Sequence, residues 1–107
     1  MHDTEHILNE DRQHIDLLDQ EILKLLNERA KLSVNIAKIK SQNKMSVFVP
    51  ERENSLLEQI ISKNDGPLTA KAIRNIFLTI MDESKKLQST ILNQTNNADD
   101  IPENDQK

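Results

Sequence analysis

The chain has 107 residues, a formal charge of −4, one Gly, three Pro and no Cys. That length holds one small domain, and the lack of Cys excludes disulfide and thiolate chemistry. Two Phe with no Trp or Tyr leave no stacking platforms, and the net acidity opposes a polyanion-binding surface, so no nucleic-acid partner is expected. Leu, Ile, Lys, Glu, Asn and Gln dominate, which favours an all-α fold.

The stretch from Met1 to Glu10 is largely polar and has no signal-peptide core, and residues 1–8 read as a flexible N-terminus. No apolar run approaches ~18 residues, so no membrane partner is expected and the chain reads as a soluble cytoplasmic protein. The first helix is predicted from about residue 9, or as early as 4, to about 42. Asn9 or Thr4 can cap it, and Glu10 and Asp11 suit its positive end. Ile15, Leu18, Ile22, Leu25, Leu32, Ile36 and Ile39 recur at helical spacing and form its apolar stripe. Residues 41–49 read as a loop. Pro50 suits the first position of a second helix, which runs to about residue 63 with Leu56, Leu57, Ile60 and Ile61 inward. Asn64-Asp65-Gly66-Pro67 is a stop and turn. A third helix, from residue 67 or 69 to about 93, carries Ile73, Phe77, Ile80, Met81, Leu87 and Ile91. Residues 94–107 are polar and acidic and read as a disordered tail or a linker. The domain proper is then 9–93.

One long and two shorter helices leave apolar surface uncovered. The first helix is roughly 50 Å long and the second only about 20 Å. An intertwined helical homodimer would cover the stripe, with C2 symmetry the commonest closure. The alternative is an elongated bundle of one chain with one flank exposed.

Five polar residues fall inside these stripes: Arg29, Lys40, Glu53, Ser84 and Gln88. At about 100° per residue from Leu18, Arg29 lies near 20° and Lys40 near 40°. Glu53 lies about 40° from Leu57. Ser84 and Gln88 are an i, i+4 pair, able to touch one ligand. Singly, each has a bland reading. Arg29 and Lys40 can snorkel to the surface, and Ser84 can bond its own backbone. Gln88 can be a boundary residue, and Glu53 can pair with Arg29 or Arg52. Taken together they predict a shared polar site for a small dianion bearing a hydroxyl, since Arg grips carboxylates in bidentate fashion.

Arg12 lies off the stripe, and roughly 42 Å from Lys40 along the helix. It cannot serve the same small-molecule site as Lys40 within one chain. Arg52 faces away from its stripe and reads as a structural or rim charge. His2, His6 and His14 do not form a convincing metal site. No phosphate loop, Ser/His/Asp arrangement or acid–base dyad is present, so any catalysis would rest on positioning and electrostatic stabilisation.

The residues resemble a known family. The segments R-x-x-I-D-x-L-D-x-x-I-L-x-L-L-N-E-R (Arg12 to Arg29), I-A-K-I-K (Ile36 to Lys40), P-E-R-E (Pro50 to Glu53), N-D-G-P-L (Asn64 to Leu68) and I-F-x-x-I-M-x-x-S-x-x-L-Q (Ile76 to Gln88) are together similar to the all-helical chorismate mutases. These occur alone or fused to prephenate dehydratase, prephenate dehydrogenase or DAHP synthase. The resemblance covers about residues 8–92 and implies the rearrangement of chorismate to prephenate in Phe and Tyr biosynthesis. It implies no cofactor and no metal, and a homodimer. In it Arg29 binds one carboxylate, and Arg12 reaches the other from the partner chain. Lys40 bonds a carboxylate and the ether oxygen of the breaking bond, and Gln88 donates to that oxygen. Glu53 accepts from the ring hydroxyl, Ser84 lies at the ring carboxylate, and Arg52 lies at the edge.

Val49 departs from the family, many of whose members have Asp there. Asp can cap the second helix and sit near the substrate hydroxyl. Val cannot cap, although its N–H could still contact the hydroxyl. Two rival functions follow from the same resemblance. One is an isochorismate–pyruvate lyase, which generally lacks the glutamate found here as Glu53. The other is a sensor domain that binds chorismate or prephenate and regulates an attached enzyme.

Overall fold

A computed structural model describes the backbone of residues 2–105 and the side chains of residues 3–93. The described residues form three α-helices and no strand: α1 (His2–Gln42), α2 (Pro50–Lys63) and α3 (Ala70–Asp105). Two helices are longer than the periodicity predicts. α1 begins at His2, so most of the expected flexible N-terminus is helical. α3 passes its expected end near Asn93 and continues through Asp105. No Gly or Pro lies between Ala70 and Ile101, so no residue there removes a backbone donor or favours a left-handed stop. Residues 106 and 107 of the expected tail lie outside the described residues.

The chain divides into two compact units, Met1–Lys31 and Leu32–Lys107. In the first, the α1 stripe residues Ile15, Leu18, Ile22 and Leu25 are all exposed. In the second, α2 packs against α3, and each helix contributes one buried residue: Ala37, Leu57 and Met81. Leu57 and Met81 belong to the predicted stripes. Ala37 does not, for it lies about 100° around α1 from Leu18. The predicted stripe residues Leu32, Ile36 and Ile39 are 63%, 50% and 49% exposed. Within this unit α1 therefore buries Ala37 and half-buries Ser33, Val34 and Lys40, while its largest aliphatic groups remain in solvent.

The connections explain where the helices stop. Lys44 adopts φ 57°, the left-handed conformation usually given to Gly. The Met45 N–H then bonds the Lys40 oxygen at 2.8 Å, and the Lys44 N–H bonds the Ser41 oxygen at 3.2 Å. This is a Schellman closure of α1, built without glycine. It ties off the main chain at Lys40. Val49 occupies the N-cap of α2 in an extended conformation, makes no side-chain cap bond, and precedes Pro50 in the first turn. Between α2 and α3, the Asn64 side chain accepts from the Gly66 N–H (3.2 Å) and donates to the Leu68 oxygen (2.7 Å). Gly66 has φ +86° with open space around it, so its conformation and not crowding requires glycine. The Thr69 hydroxyl accepts from the Ala72 N–H at 3.1 Å and so caps α3.

Candidate functional site

Four of the predicted site residues lie in the second unit on three helices and are half-buried: Lys40 on α1, Glu53 on α2, and Ser84 and Gln88 on α3. The α3 segment from Ser84 to Gln88 carries the connections. Ser84 and Gln88 stand one turn apart, about 6 Å along the axis. The Gln88 side-chain nitrogen donates to the main-chain oxygen of Ser33 at 2.8 Å and to its hydroxyl at 2.7 Å. That places the amide against the same side of α1 that carries Lys40, two turns beyond Ser33.

Glu53 is tied to α3 by a residue outside the predicted set. The Lys85 ammonium lies 3.0 Å from Glu53 Oε1, with side-chain exposures of 37% and 31%. Asp82, one turn earlier on α3, stands 3.7 Å from the same ammonium. The hydrogen bond from Lys85 to Glu53 raises the lysine pKa above its ordinary value of 10.5, against a smaller opposing effect of desolvation. Lys85, rather than the neighbouring Arg52, is the cation that meets Glu53 on this side. Helix geometry is the reason: Glu53 faces α3, whereas Arg52 is exposed and sits one residue, about 100°, around α2.

Arg29 belongs to the first unit and is half-buried; Arg12, in the same unit, is exposed. Val49 is 37% exposed at the start of α2. His6 pairs with Glu10 at 3.1 Å. No group of three or more His, Asp or Glu among the described residues is placed to hold a metal ion.

Sequence periodicity missed two participants, Ser33 and Lys85. Ser33 lies about 60° from Leu18, at the margin of the α1 stripe, and Lys85 lies about 120° from Ile73 on α3. Each does carry a local signal: Ser33 stands one turn before the buried Ala37, and Lys85 directly follows Ser84. Long-range partners, however, are not visible in a periodic pattern.

The arrangement defines an all-α domain whose helices present a cation, an ion-paired carboxylate, a hydroxyl and an amide within one unit. The chain belongs to the chorismate mutase type II family, whose model matches residues 11–89. It is 35% identical to the chorismate mutase of Methanocaldococcus jannaschii over 84% of this chain and 92% of that protein. It is 40% identical to the bifunctional chorismate mutase/prephenate dehydratase of Aquifex aeolicus over 78% of this chain. Only 24% of that relative is covered, so the chain spans about a quarter of its length. A chorismate mutase structure (form II) from Thermus thermophilus superposes with a TM-score of 0.71 at 31% identity, covering 73% of this chain and 89% of that one. No helix among the described residues is long and apolar enough to cross a membrane.

Proposed function

We propose that this chain is a chorismate mutase, an isomerase that rearranges chorismate to prephenate. The observation that carries the reading is the family match over residues 11–89, joined to a stand-alone relative of nearly the same extent. The polar residues supply a chemical rationale. A unimolecular rearrangement needs its substrate held in a compact reactive conformer, with charge stabilised on the ether oxygen as the bond breaks. Lys40 and Gln88 take that second role in the proposal. Glu53 accepts from the ring hydroxyl, Ser84 meets the ring carboxylate, Arg29 and Arg12 take the carboxylates, Arg52 lies at the edge, and the Val49 main chain borders the hydroxyl.

The working form in this proposal is a homodimer, with Arg12 contributed by a second copy. The support is the α1 stripe: Ile15, Leu18, Ile22, Leu25, Leu32, Ile36 and Ile39 are each 49–63% exposed in one chain. Seven large aliphatic residues exposed on one helix are more apolar surface than a stable monomer ordinarily leaves in water. Fusion to a second enzyme, as in the bifunctional relatives, is compatible with the same domain.

The decisive experiment adds the purified chain to chorismate and follows loss of its absorbance together with formation of prephenate. Turnover supports the mutase. Tight binding without turnover would assign a sensor instead, and release of pyruvate from isochorismate alone would assign a lyase.

A further inference from the structure

Glu53 poses an electrostatic problem that the preceding reading leaves open. Its proposed task, accepting from a substrate hydroxyl, suits a carboxylate, which only accepts. The proposed substrate is itself a dianion, so that carboxylate opposes binding. Lys85 stands where the opposition can be cancelled. Its ammonium bonds Glu53 Oε1 at 3.0 Å, and the carboxylate keeps lone pairs on Oε2 for a hydroxyl. Lys85 also directly follows Ser84 and precedes Gln88 by three residues, on the α3 segment that carries both.

The pair differs from an incidental surface contact. Lys86, the next residue, makes an ordinary pair with Glu83 within α3, also at 3.0 Å, with exposures of 72% and 64%. Such a pair is worth little in water. The Lys85–Glu53 pair joins two helices and is about half as exposed, which leaves its charges less screened. Asp82 is the other acid facing the ammonium, at 3.7 Å and 62% exposed, so Glu53 is the closer and less solvated partner.

We propose that Lys85 is a positioning residue of the site: it fixes the Glu53 carboxylate through Oε1 and neutralises it toward a dianionic substrate. The proposal rests on the chorismate mutase reading above. Because Glu53 contacts the hydroxyl before and during the rearrangement, Lys85 supports ground state and transition state alike. Its loss therefore falls on KM and not on kcat.

The test is steady-state kinetics on chorismate with the whole chain at low ionic strength. Lys85→Met is expected to raise KM about tenfold, the scale of one screened charge interaction near a surface, with kcat within about twofold of the parent. Lys85→Arg restores KM. Lys86→Met, which breaks the exposed pair, leaves both constants unchanged. In a Glu53→Gln background, Lys85→Met produces no further rise, because no charge remains to neutralise. If Lys85→Met unfolds, Lys85→Gln reads the same KM. An unchanged KM in Lys85→Met and Lys85→Gln overturns the proposal, as does an equal rise with Glu53→Gln present. Absence of turnover in the parent chain overturns the mutase reading itself, and this proposal with it.

Discussion

The Gln88 amide nitrogen meets both oxygens of Ser33, at 2.7 Å to the hydroxyl and 2.8 Å to the main chain. These bonds hold Gln88 against α1 before any substrate arrives. For the amide to donate to an ether oxygen, one of the two bonds must be exchanged for the substrate. Ser33 suits that exchange because a hydroxyl can both accept and donate. Ser33→Ala removes one bond and keeps the other. We expect a stability loss of about 1 kcal/mol in urea unfolding and a kcat lowered roughly threefold, as Gln88 becomes less well oriented. An unaltered kcat would show that the main-chain bond alone suffices.

Gln88→Glu places a carboxyl opposite the Ser33 main-chain oxygen. Ionised, it sets lone pairs against lone pairs and donates nothing; protonated, it regains one donor. The fold therefore favours the protonated form and raises the introduced group's pKa. The sign follows: its stabilising contribution is complete below the unfolded value of about 4.3 and is lost as pH rises through the higher folded value. Activity should follow the same direction, shifting toward acid relative to the parent. A pH–rate profile and urea melts at two pH values check both; coincident profiles for variant and parent would remove the donor role.

Val49→Asp adds a missing cap. The N-cap backbone is already extended, at φ −127° and ψ 97°, and Val49 makes no side-chain cap bond. An Asp oxygen there can accept from the N–H groups of the first turn. We expect about 1 kcal/mol of added stability and a lower KM for chorismate. Thermal melts and steady-state kinetics measure these, and no gain in either would mean that the α2 terminus is satisfied without a cap.

Lys44→Gly relieves the left-handed residue of the Schellman closure. A residue with a side chain at φ 57° carries a conformational cost that glycine lacks, partly offset by the greater freedom of an unfolded glycine. The net expectation is a gain of up to about 1 kcal/mol in urea unfolding. A destabilised variant would argue that the Lys44 side chain itself supports the turn.

Arg12→Ala and Lys40→Ala test the proposed second copy. Each variant alone should be inactive. Mixed and allowed to exchange subunits, they should recover part of the parent activity, because one of the two sites in a mixed dimer is then intact. Failure despite subunit exchange, verified by mass spectrometry, would count against Arg12 acting across an interface.

The sequence alone determined the all-α class, the three helices and the turn at Asn64 to Pro67, because helical periodicity and turn chemistry are local. It also singled out Arg29, Lys40, Glu53, Ser84 and Gln88, since a polar residue within an apolar stripe is visible in one dimension. The helix ends were less legible. Asn93 shows no strong stop, and Lys44 closes α1 where the sequence offers no glycine. Tertiary structure decided which residues meet. It turned the Ala37 face of α1 inward in place of the Leu32–Ile36–Ile39 stripe, gave Gln88 to Ser33 and gave Glu53 to Lys85. Those pairings depend on how helices rotate and pack against one another, and small residues such as Ala37 leave little trace in a hydrophobic pattern because they bury well while contributing little apolar area.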